Sequence, residues 1–176
     1  MIRGVALVLA VAGMALASTP TQACRMFRPL DMAQVVAADA VMVGRLTDYE
    51  IVRDEAFRER MLASPALTDD MRALYRGEGS LLPDYARFTF APSETLLGEE
   101  PASFTVTWDN STFAEPDTLR DGEYLIAIRH LDPDAAVYLT PFRGHPVLLQ
   151  APCSAAFIFA ADDPRVGEIR SLLAGG

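Results

Sequence analysis

Two cysteines and two histidines carry the sharpest chemistry in this chain. Cys24 and Cys153 are the only cysteines, and His130 and His145 the only histidines. In an oxidising compartment two such cysteines form a disulfide by default. His130 precedes Asp132 and Asp134, carboxylates of the kind that orient an imidazole as a general base. Ser154 follows Cys153 directly. Yet no G-x-S-x-G, H-E-x-x-H or Cys/His nucleophile arrangement is present. His130, His145 and the scattered methionines have no copper or zinc ligand spacing behind them. A lone histidine at a strand end is more often structural or solvated. The sequence therefore predicts no enzyme, no catalytic residue, no metal-ligand residue and no cofactor, with a metal-binding periplasmic protein as an alternative reading.

The paired carboxylates Asp69-Asp70, Glu99-Glu100 and Asp162-Asp163 read as solvated loop charges and helix caps. Trp108 is the single tryptophan, suited to core packing, to a barrel rim or to ligand stacking. A binding surface is expected where Trp108, Asn110 and Phe113, on and beside the loop Asp109–Arg120, meet the stretch Arg53–Ala86.

Residues 1–23 read as a targeting segment. Arg3 gives a positive start, an apolar run of about 13 residues follows, and Ser18-Thr19-Pro20 precedes small residues suited to cleavage. The run falls short of the roughly 20 residues a membrane span needs. Cleavage after Ala23 makes Cys24 the first residue. That position also suits a lipid-modified cysteine, although Thr21 stands where a lipid-attachment motif prefers Leu. Membrane contact is expected only through such a lipid, and the expected location is periplasmic or extracellular.

The remaining residues 24–176 suit one domain with a real core. Net charge is −9, or −10 once Arg3 leaves with the leader. So acidic a chain repels nucleic acid and anionic lipid at long range, and no nucleic-acid partner is expected. A protein or small molecule is expected instead.

Patterning predicts a β-rich fold. Ala38–Val52 alternates as a first strand with one buried face, bent at Gly44, where a glycine marks a bulge or a close backbone approach. Asp31 caps a helix Met32–Ala38, with Met32, Val35 and Val36 on one face. Residues 53–86 break the strand pattern and read as a solvated helical insertion, one helix within Asp54–Ala63 and one capped near Thr68. Further strands are expected at Arg87–Ser93, Ala102–Trp108, Glu123–Leu131 and Val137–Thr140. The fourth carries apolar residues on both faces, as a strand covered twice does. An apolar segment Val147–Phe159 and a helix opened by Asp162-Asp163-Pro164 complete the chain.

Several pieces together resemble the netrin-like domain, shared by tissue inhibitors of metalloproteinases and bacterial exported relatives. They are Cys24 after the leader, AADAVMVGRL ending at Leu46, FTFAPSETLLG over Phe88–Gly98, DGEYLIAI over Asp121–Ile128, the late Cys153 and the closing helix. The resemblance covers most of residues 24–174. It implies an OB-like, five-stranded antiparallel Greek-key barrel flanked by helices. It also implies a binding module, or an inhibitor whose N-terminal Cys24 amine and carbonyl chelate a protease zinc while Arg25 enters the side-chain pocket. Two departures stand out. Met26 replaces the second cysteine of the family's Cys-x-Cys start, and residues 110–119 lack the cysteine usual before the Gly-x-Tyr strand, so at most one family bridge survives.

Overall fold

The computed structural model describes residues 27–77, 84–109, 116–132 and 144–175. Among the described residues six strands form one sheet: β1 (Ala40–Val52), β2 (Tyr85–Leu97), β3 (Phe104–Asp109), β4 (Gly122–Arg129), β5 (Val147–Leu148) and β6 (Ile158–Ala160). Their order is β1-β2-β3-β5-β4-β6, and β1 also pairs with β4. Five strands thus close a ring, with β6 attached outside it along β4. All pairings are antiparallel except β3 with β5, where Thr107 faces Val147 in parallel. This corrects the wholly antiparallel expectation. The chain leaves β3 and returns beside it only after β4, so the closing strand arrives in the same direction. The expected strand Val137–Thr140 lies outside the described residues, and the two-residue β5 closes the ring.

β1 is the hub, paired with β2 on one side and β4 on the other. Its register on β2 slips between Val43 and Gly44. A Cβ at Gly44 would lie 2.3 Å from the Ala91 carbonyl oxygen, so the strands approach there more closely than a side chain permits. Of the three slips in this register, the one between Thr47 and Glu50 coincides with Asp48 at φ 57°.

The single buried face expected for β1 is two. Ala40, Met42 and Leu46 join Ala86, Phe88, Phe90, Val106, Trp108, Ile126, Ile128 and Leu148 in one cluster, drawn from all five strands of the ring. Val41 and Val43 join Leu125, Ala127, Phe157, Phe159, Val166 and Ile169 in another, on the opposite face of β1 and β4. The second cluster exists because α3 (Pro164–Ala174) covers that face. The double coverage expected of β4 is present, with Leu125 and Ala127 on one side and Ile126 and Ile128 on the other.

The first helix is a 3-10 turn, Met32–Ala37, capped by the Asp31 carboxylate. At 3.0 residues per turn, Met32, Val35 and Ala38 form the inward row. Val35 is fully buried and Val36 is 62% exposed, against the expected face. β2 runs on through Leu97, past the expected end at Ser93, and stops before Gly98, φ 75°. Among the described residues no helix is long and apolar enough to cross a membrane.

α3 begins at N-cap Asp163 with Pro164 in its first turn. The Asp163 carboxylate accepts from the Arg165 guanidinium and from the Arg165 backbone N–H at 2.9 Å. Those bonds, the side-chain one foremost, hold its carboxyl at about 2, below its ordinary value. A depressed folded pKa contributes stability above the unfolded value of ~3.9 and loses it as pH falls through the folded one. Asp163→Asn keeps a capping oxygen but loses the charge. Its stability is expected to trail the wild type by under about 1 kcal/mol at neutral pH, the pair being exposed. The gap is expected to close between about pH 4 and pH 2; chemical denaturation at the two ends of that window measures it.

Candidate functional site

The insertion between β1 and β2 carries two short, largely solvated helices, as expected, anchored on a buried base. It contains α1 (Glu55–Leu62) and α2 (Asp69–Arg76). Asp54 caps α1 by accepting from the Phe57 N–H at 2.8 Å, and Thr68 caps α2. At the base, Asp84 is 2% exposed and holds both feet together. Its Oδ1 accepts from the Asp54 N–H at 3.0 Å, and its Oδ2 meets the Arg58 guanidinium at 2.5 Å. Arg58 is equally buried and also donates to the Tyr75 carbonyl of α2 at 3.4 Å. The Phe57 and Tyr75 rings meet with centroids 6.1 Å apart. Arg72 of α2 donates to the carbonyls of Leu62 and Ser64, at 2.7 and 2.8 Å, satisfying acceptors at the end of α1.

Strand register puts the loop after β3 beside this base. Val52 faces Tyr85, and Tyr85 faces Asp109. The end of β1, the start of β2 and the end of β3 therefore lie in one row. The Tyr49 hydroxyl donates to the Pro116 carbonyl at 2.5 Å, tying β1 to the loop. Leu119 packs against the ring's cluster, and the Tyr124 hydroxyl donates to the Arg120 carbonyl at 3.0 Å. The root of the loop thus lies beside the root of the insertion.

The named residues fare unequally. Trp108 is 8% exposed and packs in the ring's cluster. Strand alternation turns it inward with Val106, so it is core and not a stacking platform. Its indole N–H donates to Gln150 Oε1 at 3.1 Å, and Gln150 Nε2 donates to the Ser154 carbonyl at 2.7 Å. Asn110, Phe113, Cys24 and Arg25 lie outside the described residues. Cys153 is described, at φ 66°, and its carbonyl accepts from the Arg28 N–H at 2.7 Å. Among the described residues there is no free cysteine.

His130 lies at the opposite end of the strands. Its Nε2 is 3.0 Å from Glu100 Oε1 and its Nδ1 is 3.6 Å from Asp39 Oδ2. Its backbone N–H donates to the same Asp39 oxygen at 2.6 Å. Asp134, one of its two expected partners, lies outside the described residues. The two carboxylates sit against opposite ring nitrogens, so they cannot converge on one cation. Among the described residues no group of three His, Cys, Asp or Glu is placed to hold a metal ion. Ser154 is 2% exposed in the turn after Cys153, which withdraws its hydroxyl from any outside substrate. Two features escaped the sequence. Arg58 looked like one more charge on a charged helix, and Asp39 and Glu100 stand 91 and 30 positions from His130. The chain matches no protein-family model and no curated protein.

Proposed function

We propose that the chain is an exported, non-catalytic binding module built on a netrin-like, OB-type barrel, and that it meets its partner at the insertion end. The barrel reading is supported by the five-strand ring, by α3 across one wall and by the long elaboration between β1 and β2. Export is supported by the leader-like composition of residues 1–23. The observation that carries the binding reading is the Asp84 node. It fixes a helical insertion beside the root of a second loop, the arrangement by which loops on a rigid scaffold present a surface. The ligand's identity does not follow from the fold.

A photo-crosslinking residue at Asp117, exposed in the β3–β4 loop, tests the reading against one at Glu168, exposed on α3. In the exported fraction of the producing cells, Asp117 is expected to give discrete crosslinked species and Glu168 none. Equal yields at the two positions, or none at Asp117, would remove it.

A further inference from the structure

The exit of β4 gathers ionisable groups from three parts of the chain, and the backbone brings them together. Asp39 stands just before β1. Its N–H donates to the Ile128 carbonyl at 2.9 Å, extending the pairing that begins with Ala40 opposite Ile128. The Asp39 carboxylate in turn accepts from the His130 N–H at 2.6 Å. Glu100 arrives from the turn after β2, past Gly98, where a Cβ would overlap the Asp39 carbonyl oxygen. The result is one imidazole between two carboxylates, Glu100 at Nε2 and Asp39 at Nδ1.

Counting protons singles this cluster out. A neutral imidazole has one N–H and one lone pair, whereas the imidazolium has two N–H groups. Ionised carboxylates only accept, so with a neutral ring one of the two faces a lone pair. Glu100 has the more to lose. Its side chain is 7% exposed, and its Oε1, although 3.0 Å from His130 Nε2, is buried and accepts no aligned hydrogen bond. A buried carboxylate without a donor is costly, and a charged ring beside it offsets that cost. The other ionisable groups on the elements meeting here are Glu99 in the same turn, Arg129 and Asp132 flanking His130, and His145 ahead of β5, whose Val147 faces Arg129.

We infer that Asp39, Glu100 and His130 form a pH-operated clasp, closed when His130 takes up a proton. Histidine is the side chain that changes charge between about pH 5 and pH 8. Protonation gives Nδ1 and Nε2 an N–H each, one for either carboxylate. The closed clasp favours the charged ring, so the stability it contributes is present in mildly acid solution and is lost as pH rises. Below about pH 4 the carboxylates themselves take up protons and the attraction ends. The clasp fastens the start of β1, the β2–β3 turn and the exit of β4 to one another. With the ring neutral, the turn that carries Glu100 is the part released. The clasp lies at the end of the strands away from the insertion and stands whether or not a partner binds there.

Amide hydrogen exchange in the mature chain, measured by NMR at about pH 5.5 and about pH 7.5 and corrected for intrinsic exchange rates, reads the clasp as local opening. The reporters are the Asp39 and His130 N–H groups, one donating beside the clasp and the other into it. Their protection is expected to be about fivefold greater at the lower pH, the scale of one partly exposed ion pair. Glu100→Gln and His130→Gln should each abolish that difference, while His145→Gln should retain it. The Glu100→Gln result separates a clasp from a histidine that merely titrates. Equal protection of the wild type at the two pH values, or a difference that survives Glu100→Gln, would overturn the inference. The wild-type comparison needs no substitution, so it decides the matter even where a variant fails to fold.

Discussion

Replacing Arg58 by Met is expected to lower stability by about 3–5 kcal/mol, the usual cost of stranding one member of a buried ion pair. Arg58 and Asp84 each have 2% exposed side chains. Without the guanidinium, Asp84 loses its ionic partner inside a base where it is 2% exposed. The double replacement Arg58→Met with Asp84→Leu removes both charges and should recover part of the loss. It cannot recover all of it, because the Asp54 N–H then loses its acceptor, worth about 1–3 kcal/mol when buried. The cycle of single and double variants, followed by chemical denaturation, measures the coupling. Because the node ties the insertion's two feet, part of the loss should appear as local opening, with faster amide exchange across Glu55–Leu62. A single Arg58→Met variant within about 0.5 kcal/mol of wild type, the range of ordinary surface changes, would show that the node does not hold the insertion.

Arg58 also shows where reading the sequence stops. In EAFRERML the arginines alternate with glutamates, and nothing local distinguishes the one that turns inward. Its partner lies 26 positions on, across the whole insertion. His130 repeats the lesson, since Asp39 and Glu100 reach it only through the pairing of β1 with β4 and the turn after β2. Local signals served better. Asp31, Thr68 and Asp163 each cap the element expected of them, and Gly44 marks a register slip. Alternation located β2, β3 and β4, but it left Trp108 open between the core and a binding surface. It understated β1, whose buried faces depend on α3 more than a hundred residues later. It missed β5, since two residues carry no period. The parallel contact of β3 with β5 was equally hidden, because it follows from the order of ring closure and not from any segment. For the candidate site, the sequence named the loop and the insertion as segments, while the node that anchors the insertion was not legible.

The second large effect concerns Cys153. We propose that Cys24 and Cys153 are bridged. The Arg28 N–H bonds the Cys153 carbonyl at 2.7 Å, and four residues span at most about 14 Å, so Cys24 is tethered within reach. The Cys153 turn is also wired inward. The Ser154 N–H closes onto the Ala151 carbonyl at 3.1 Å, and Gln150 links the Ser154 carbonyl to the Trp108 indole. The bridge would close a loop of about 130 residues, for which chain entropy gives an upper value of ~4–5 kcal/mol, with native bridges commonly worth 2–5. Reductant is therefore expected to lower the stability of the mature wild type by about 2–5 kcal/mol, and Cys153→Ser to do the same and be insensitive to reductant. Cys24→Ser should match it, and the double variant should be no worse than either, since both remove one bond. Trp108, the only tryptophan, should report the change in its fluorescence as the Gln150 relay relaxes. A wild type whose unfolding ignores reductant would show that the N-terminal segment is held without a bridge, by contacts such as the Arg28 hydrogen bond and the packing of Leu30, Met32, Val35 and Ala38.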